Sequence, residues 1–209
     1  MTFTLIQTKL YLDGEKIVTS DILRNYCKKL NISYNDTIRY LIRYKYLYRI
    51  FRGIFYVPNI EERKFKRLEI NYLDAIVEAL KIKGVKNWYF GLNTALKLNA
   101  ITHEFYTLDY VINDTIFRAK PITILGHKIK FIKLKKELFS FGITKNKINF
   151  SDMEKTVLDI VYLSFYDGLN DNEVKIKIAD IMKKCSKSKI LKYASHYNKN
   201  TYKFVEDTL

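Results

Sequence analysis

The chain is poor in the residues that bend, staple or break a polypeptide: in 209 residues it has two prolines, Pro58 and Pro121, seven glycines and two cysteines. Without Pro- or Gly-rich stretches there is no flexible linker or low-complexity tract, and an apolar content of 48% with charge spread along the whole length is a globular profile. Cys27 and Cys185 lie far apart with no CxxC spacing, which excludes a disulfide framework and leaves them as small buried hydrophobes. His103, His127 and His196 are equally scattered, so no metal-ligand cluster and no cofactor are expected. No apolar run approaches the ~20 residues of a membrane span, and the N-terminus lacks the basic, apolar and small-residue regions of a signal peptide; a cytoplasmic protein without membrane contact is expected. Glycine-rich phosphate loops, G-x-S-x-G and zinc signatures are absent too.

Negative charge is the other scarcity. Against 37 Lys and Arg stand 22 Asp and Glu, a formal net charge of +15, which favours polyanionic partners. Lys, Ile, Tyr and Asn are abundant and Gln7 is the only glutamine, so part of the lysine excess reflects general composition. Its distribution is the better guide. Residues 1–66 carry 13 basic against six acidic side chains, a net +7, whereas residues 67–209 carry 24 against 16, a net +8 over more than twice the length.

The first third reads as three short helices and a hairpin. Leu5, Ile6, Leu10 and Leu12 have the spacing of one helix face. After the Asp13-Gly14 turn, Thr19, Ser20 and Asp21 can cap a second helix with Ile22, Leu23, Tyr26, Cys27 and Leu30 inward. Asn31-Ile32-Ser33 breaks it, and Ser33 caps a third helix reaching about Tyr46, with Ile38, Leu41 and Ile42 inward and Asn35, Arg39, Tyr40 and Arg43 outward. The β-branched and aromatic runs 46–50 and 54–57 then flank Phe51-Arg52-Gly53, a tight turn in which Gly53 supplies positive φ. This pattern is that of a winged helix-turn-helix over residues 1–60. The expected DNA-facing set is Ser33, Tyr34, Asn35, Thr37, Arg39, Tyr40 and Arg43 on the third helix with Arg49 and Arg52 on the wing, and no acidic residue occurs between Asp36 and Glu61. A protein- or RNA-interaction module that ignores operator DNA is the competing reading of the same elements.

Beyond Pro58, the charged stretch 61–64 reads as a linker into a helix bearing Leu68, Tyr72, Leu73, Ile76, Val77 and Leu80. It opens a second domain, 67–209. Strand-like runs at 87–90, 107–112, 122–125 and 128–132 make one sheet, mostly antiparallel, in an α+β fold. Ser151-Asp152-Met153-Glu154 has the form of a capping box ahead of an apolar helix, and two further helices, about 172–185 and 187–198, close the chain.

Three segments carry a resemblance: Arg49-Ile50-Phe51-Arg52-Gly53-Ile54-Phe55-Tyr56-Val57, Tyr89-Phe90-Gly91-Leu92-Asn93-Thr94-Ala95-Leu96, and Phe150-Ser151-Asp152-Met153-Glu154-Lys155-Thr156-Val157-Leu158-Asp159. In order and spacing they are similar to the AbiEi-type antitoxins, transcriptional regulators of type IV toxin-antitoxin systems, over the chain to about residue 165. The resemblance implies a winged helix that represses its own operon by binding its promoter, and a second domain that counteracts a nucleotidyltransferase-like toxin. Catalysis is not expected. Glu62-Arg63-Lys64 and the set Asp152, Glu154, Lys155 and Asp159 are the tempting carboxylate-lysine groups. The first lies outside any strand-borne site, and the second is explained by helix capping and the helix dipole.

Overall fold

The computed structural model describes every residue except Met1, Thr102, His103 and Phe105. The fold is α+β, and the chain divides into two compact units, Met1–Gly84 with Thr123–Gly126, and Val85–Ile122 with His127–Leu209.

In the first unit, α1 (Thr2–Leu12) leads to β1 (Ile17–Thr19), α2 (Ser20–Lys29), α3 (Tyr34–Arg43), β2 (Tyr48–Phe51) and β3 (Ile54–Tyr56). Of the apolar residues expected along one face of α1, Ile6 and Leu10 are buried while Leu5 and Leu12 face solvent. Thr19 caps α2, accepting from the Ile22 N–H, and Ser33 caps α3, accepting from the Asp36 N–H. Between them Asn31 takes φ 47°, which turns the chain without continuing the helix. α3 ends at Arg43, short of the expected Tyr46: Lys45 adopts φ 59°, and the N–H groups of Tyr46 and Leu47 both return to the Leu41 carbonyl. The hairpin turns at Gly53, φ 83°. β1, a strand too short to be visible in the sequence, pairs antiparallel with β3, so the sheet order is β1-β3-β2. Val18, Leu23, Cys27, Ile38, Leu41, Leu47 and Phe55 form the core beneath it.

The charged stretch 61–64 is not a linker. It forms α4 (Ile60–Phe65), closed by a full capping box between Asn59 and Glu62. Glu62 is buried and accepts from the Tyr56 hydroxyl at 2.6 Å, the Asn59 N–H at 2.7 Å and the Glu69 N–H at 2.6 Å, which satisfies its carboxylate three times. α5 (Tyr72–Ile82) packs on β2, and Leu68 of the expected helix lies before it. Compactness therefore divides the chain at Gly84, whereas composition suggested residues 60–67.

The second unit is built on β4 (Trp88–Phe90), α6 (Leu92–Leu98), β5 (Leu108–Asn113), β7 (His127–Lys133), β8 (Ile143–Thr144) and β9 (Phe150–Ser151); with β6 (Ile122–Ile124), of which only Ile122 is counted in this unit, the sheet order is β6-β7-β5-β4-β9-β8. The β4·β5 and β8·β9 pairings are antiparallel, as expected of most of the sheet. The longest, β5·β7, is parallel because the chain crosses over between Asn113 and His127, with β6 on the way, before returning as β7; β4·β9 is parallel too. Four helices follow: α7 (Met153–Tyr166), α8 (Asp171–Met182), α9 (Lys187–Ala194) and α10 (Lys199–Thr208). α8 and α9 fall on the two expected spans, ending earlier at Met182 and Ala194, and α10, beyond residue 198, is an additional helix. The cap of α7 also differs from the sequence pattern. Asp152 is the N-cap, accepting from the Lys155 N–H at 2.9 Å, while Ser151 ends β9 and bonds Thr156. Glu154, expected to reach back to the cap, instead accepts from the Ser186 N–H and from Lys189 Nζ at 2.7 Å, tying the start of α9 to α7.

Candidate nucleic-acid interface

An open concavity of about 1040 Å³ lies between α3 and the β2–β3 hairpin. Six of the nine expected residues line it: Tyr34, Asn35, Arg39 and Arg43 from α3, with Arg49 and Arg52 from the hairpin. Successive turns of one helix face project the α3 side chains, and the pleat of β2 with the Gly53 turn brings the two hairpin arginines to the opposite rim.

Three expected residues are elsewhere. Thr37 is fully buried and donates to the Ser33 carbonyl at 2.7 Å, so it serves the core and not the surface. It sits four residues before Leu41, on the inner face. Tyr40 is half-buried, its ring 4.6 Å from that of Tyr44 and stacked over Tyr46, away from the concavity. Ser33 spends its hydroxyl as the α3 cap.

Three polar side chains of the lining were not foreseen. Arg24 of α2 lies with its guanidinium 4.1 Å from the centre of the Tyr34 ring, a cation–π contact that holds it at the rim. Ser20 bonds the Tyr34 hydroxyl at 2.8 Å, and its own N–H donates to the Gly53 carbonyl at 2.8 Å, fastening the hairpin turn to the start of α2. Lys83, just past α5, donates through Nζ to the Arg52 carbonyl at 3.2 Å. Neither cation carried a local signal: the Tyr34 ring holds Arg24 at the rim, and only the packing of α5 on β2 brings Lys83 there.

The lining thus holds five arginines, one lysine and no carboxylate. Arg39 makes an exposed ion pair with Asp36 at 3.6 Å, an interaction of about 0–1 kcal/mol that an incoming phosphate can replace. Beneath the cations, Ile38, Ile42 and Phe55 give an apolar floor. Such a surface can hold an extended polyanion: α3, 10 residues long, fits a major groove, and the hairpin arginines can reach phosphates alongside it.

The carboxylate-lysine set of the second unit has a different environment. Lys155 is fully buried, with Nζ 3.0 Å from the Tyr197 hydroxyl and 3.4 Å from Asp159 Oδ1, and it lies over the rings of Tyr89 and Phe141. Asp159 also accepts from the hydroxyls of Tyr89 at 2.8 Å and Tyr197 at 2.6 Å. Burial pushes the Lys155 ammonium below its ordinary pKa, against the opposing pull of Asp159. Lys155 and Asp159 are thus enclosed and satisfied within one network, whose outer members Tyr197 and Phe141 are half-buried. Among the described residues, no group of three or more His, Cys, Asp or Glu is placed to hold a metal ion, and no helix is long and apolar enough to cross a membrane.

No protein-family model matches the chain, and no curated protein matches it at a significant level. Among solved structures, the crystal structure of the RV2827C protein from Mycobacterium tuberculosis is similar over 98% of this chain and 74% of that one, with a TM-score of 0.60 at 10% identity. At that identity the likeness is one of fold, and the chain shares the overall architecture of that mycobacterial protein.

Proposed function

We propose that the first unit is a winged helix-turn-helix that binds double-stranded DNA, and that the protein regulates transcription of its own operon. The observation that carries this reading is the concavity between α3 and the hairpin, with six cationic side chains and no carboxylate. In it, Asn35, Arg39 and Arg43 read base edges from α3, while Arg49, Arg52, Arg24 and Lys83 engage phosphates on the flanks. The role is one of binding, without catalysis, and belongs in the cytoplasm.

A gel shift of the full chain on the DNA upstream of its own gene tests the reading. Binding that survives excess unrelated DNA is expected. Arg39→Ala or Arg43→Ala should weaken it by about 1–3 kcal/mol and relax preference at one position of the site. Operator affinity no different from that for random duplex would defeat the proposal. The antitoxin role rests on the resemblance of the three sequence segments; co-expression with a neighbouring nucleotidyltransferase-like gene product is its test, and protection of the cells is the expected result.

A further inference from the structure

The second unit carries a groove that neither the DNA reading nor the buried lysine network uses. It has a volume of about 570 Å³, within the range of small-molecule sites, and lies on the sheet face beside the C-terminal end of α7. Its floor is apolar, from Leu108 of β5, Ile132 of β7 and Ile160 of α7. Two large aromatic side chains border it in the open: Phe117 is 65% exposed and Tyr166 84%. Aromatic rings gathered on a concave surface mark a place where something binds.

The backbone beside it is strained. Leu92 lines the groove from a left-handed conformation, φ 51°, which a leucine adopts only where its surroundings enforce it. At the preceding Gly91 the backbone lies close to β5, where a Cβ would come within 2.4 Å of Ile112 Cδ1.

The polar groups around the groove are of two kinds. Lys130 donates to the Ala119 carbonyl and Lys177 to the Ser164 hydroxyl at 3.1 Å; both acceptors are neutral, so neither bond cancels the lysine's charge. Asp167, at the C-cap of α7, and Asn93, on the first turn of α6, present a carboxylate and an amide. Tyr110 adds a hydroxyl, which burial and the Asp167 charge keep protonated and able to donate.

Aromatic faces for stacking, a carboxylate and an amide for a heterocycle edge, and two cations for an anionic tail describe one class of ligand. We propose that this groove binds a nucleoside phosphate whose base carries an amino group, either free or at the end of an RNA strand. The base stacks on Phe117 and Tyr166, Asp167 accepts from the exocyclic amine, and Lys130 and Lys177 neutralise the phosphate.

Calorimetric titration of the full chain with ATP, GTP, CTP and UTP tests this, with adenosine and a short RNA oligomer alongside. Saturable binding is expected for the three bases that carry an amine, with UTP at least tenfold weaker because it offers Asp167 no amine, and with adenosine weaker than ATP. Asp167→Asn, Lys177→Met and Phe117→Ala change exposed side chains, so each should weaken ATP binding tenfold or more while leaving the melting temperature unchanged. The basic concavity of the first unit is the competing polyanion site, so Arg39→Ala serves as control and should leave nucleotide affinity as it was. Binding of the mononucleotides as tight as that of the oligomer would identify a free nucleotide; tighter binding of the oligomer, lost in Asp167→Asn and kept in Arg39→Ala, would identify a strand end, and oligomer binding lost in Arg39→Ala alone would count against the groove. Absence of saturable binding by any of these probes at millimolar concentration, or loss of binding in Arg39→Ala with none in Asp167→Asn, would overturn it.

Discussion

Lys155 and Asp159 are placed where neither charge has access to water, and each is balanced by the other together with the hydroxyls of Tyr89 and Tyr197. Removing one partner of a buried pair leaves the other uncompensated, so Lys155→Met should cost about 3–5 kcal/mol, read from urea unfolding. The double variant Lys155→Met with Asp159→Leu should recover much of that loss, because replacing both charges by apolar groups is often neutral. Additive losses would mean that the pair contributes no coupling. The neighbouring contact between Glu154 and Lys189 has a pH signature. Burial alone would raise the Glu154 carboxyl, but Lys189 and the Ser186 N–H outweigh it and hold its pKa below the ordinary 4.5. A carboxyl whose folded pKa is depressed stabilises the protein above its unfolded value and loses that contribution as pH falls through the folded one. The melting-temperature difference between the parent and Lys189→Met should therefore be largest at neutral pH and shrink as pH drops below 4.5; a constant difference would remove the ion pair from the acid response. Nothing in the local sequence separates Lys155 and Asp159 from a solvated helix face. Their burial comes from Tyr89 and Tyr197, which are distant along the chain.

Among the elements, α3 and the hairpin show how far local signals reach. The Ser33 cap, the inward Ile38 and Leu41 and the Gly53 turn are all near-neighbour effects, and each is where the spacing puts it. Thr37 was misplaced because a hydroxyl next to arginines suggests an exterior, although its spacing to Leu41 assigns it to the core. The two faces of the concavity should behave differently in DNA binding. Arg49→Ala and Arg52→Ala should each lower affinity for all sequences and reduce the salt dependence by about one unit of slope per lost phosphate contact, with base preference intact. A changed base preference at constant slope would assign the hairpin to base reading. Gly53 itself tolerates little: a Cβ there would lie 3.1 Å from Ser20 Oγ on a backbone at φ 83°. Gly53→Ala is accordingly expected to lower the melting temperature, whereas Gly14→Ala, also at positive φ but with nothing within 4 Å, should lower it less.

For the whole molecule, the division at Gly84 sets which fragment holds together. A fragment ending at residue 66 loses α5 from β2 and the Glu69 N–H from the buried Glu62 carboxylate. One ending at Gly84 keeps both, and keeps Lys83 on the Arg52 carbonyl. By circular dichroism, residues 1–84 should melt higher than residues 1–66; equal melting would show α5 to be dispensable to the first unit. The sequence by itself determined the α+β class, the caps of α2 and α3, the Gly53 turn, the start of α7 and the basic face of α3, because these depend on residues within a few positions of one another. Only the tertiary structure decided that residues 60–84 belong with the first unit, that β5 and β7 run parallel, that Arg24 and Lys83 join the basic concavity and that Lys155 is enclosed with Asp159 by Tyr89 and Tyr197. These outcomes turn on contacts between residues far apart in the chain, and short-range periodicity carries no record of which distant segment will cover a given face.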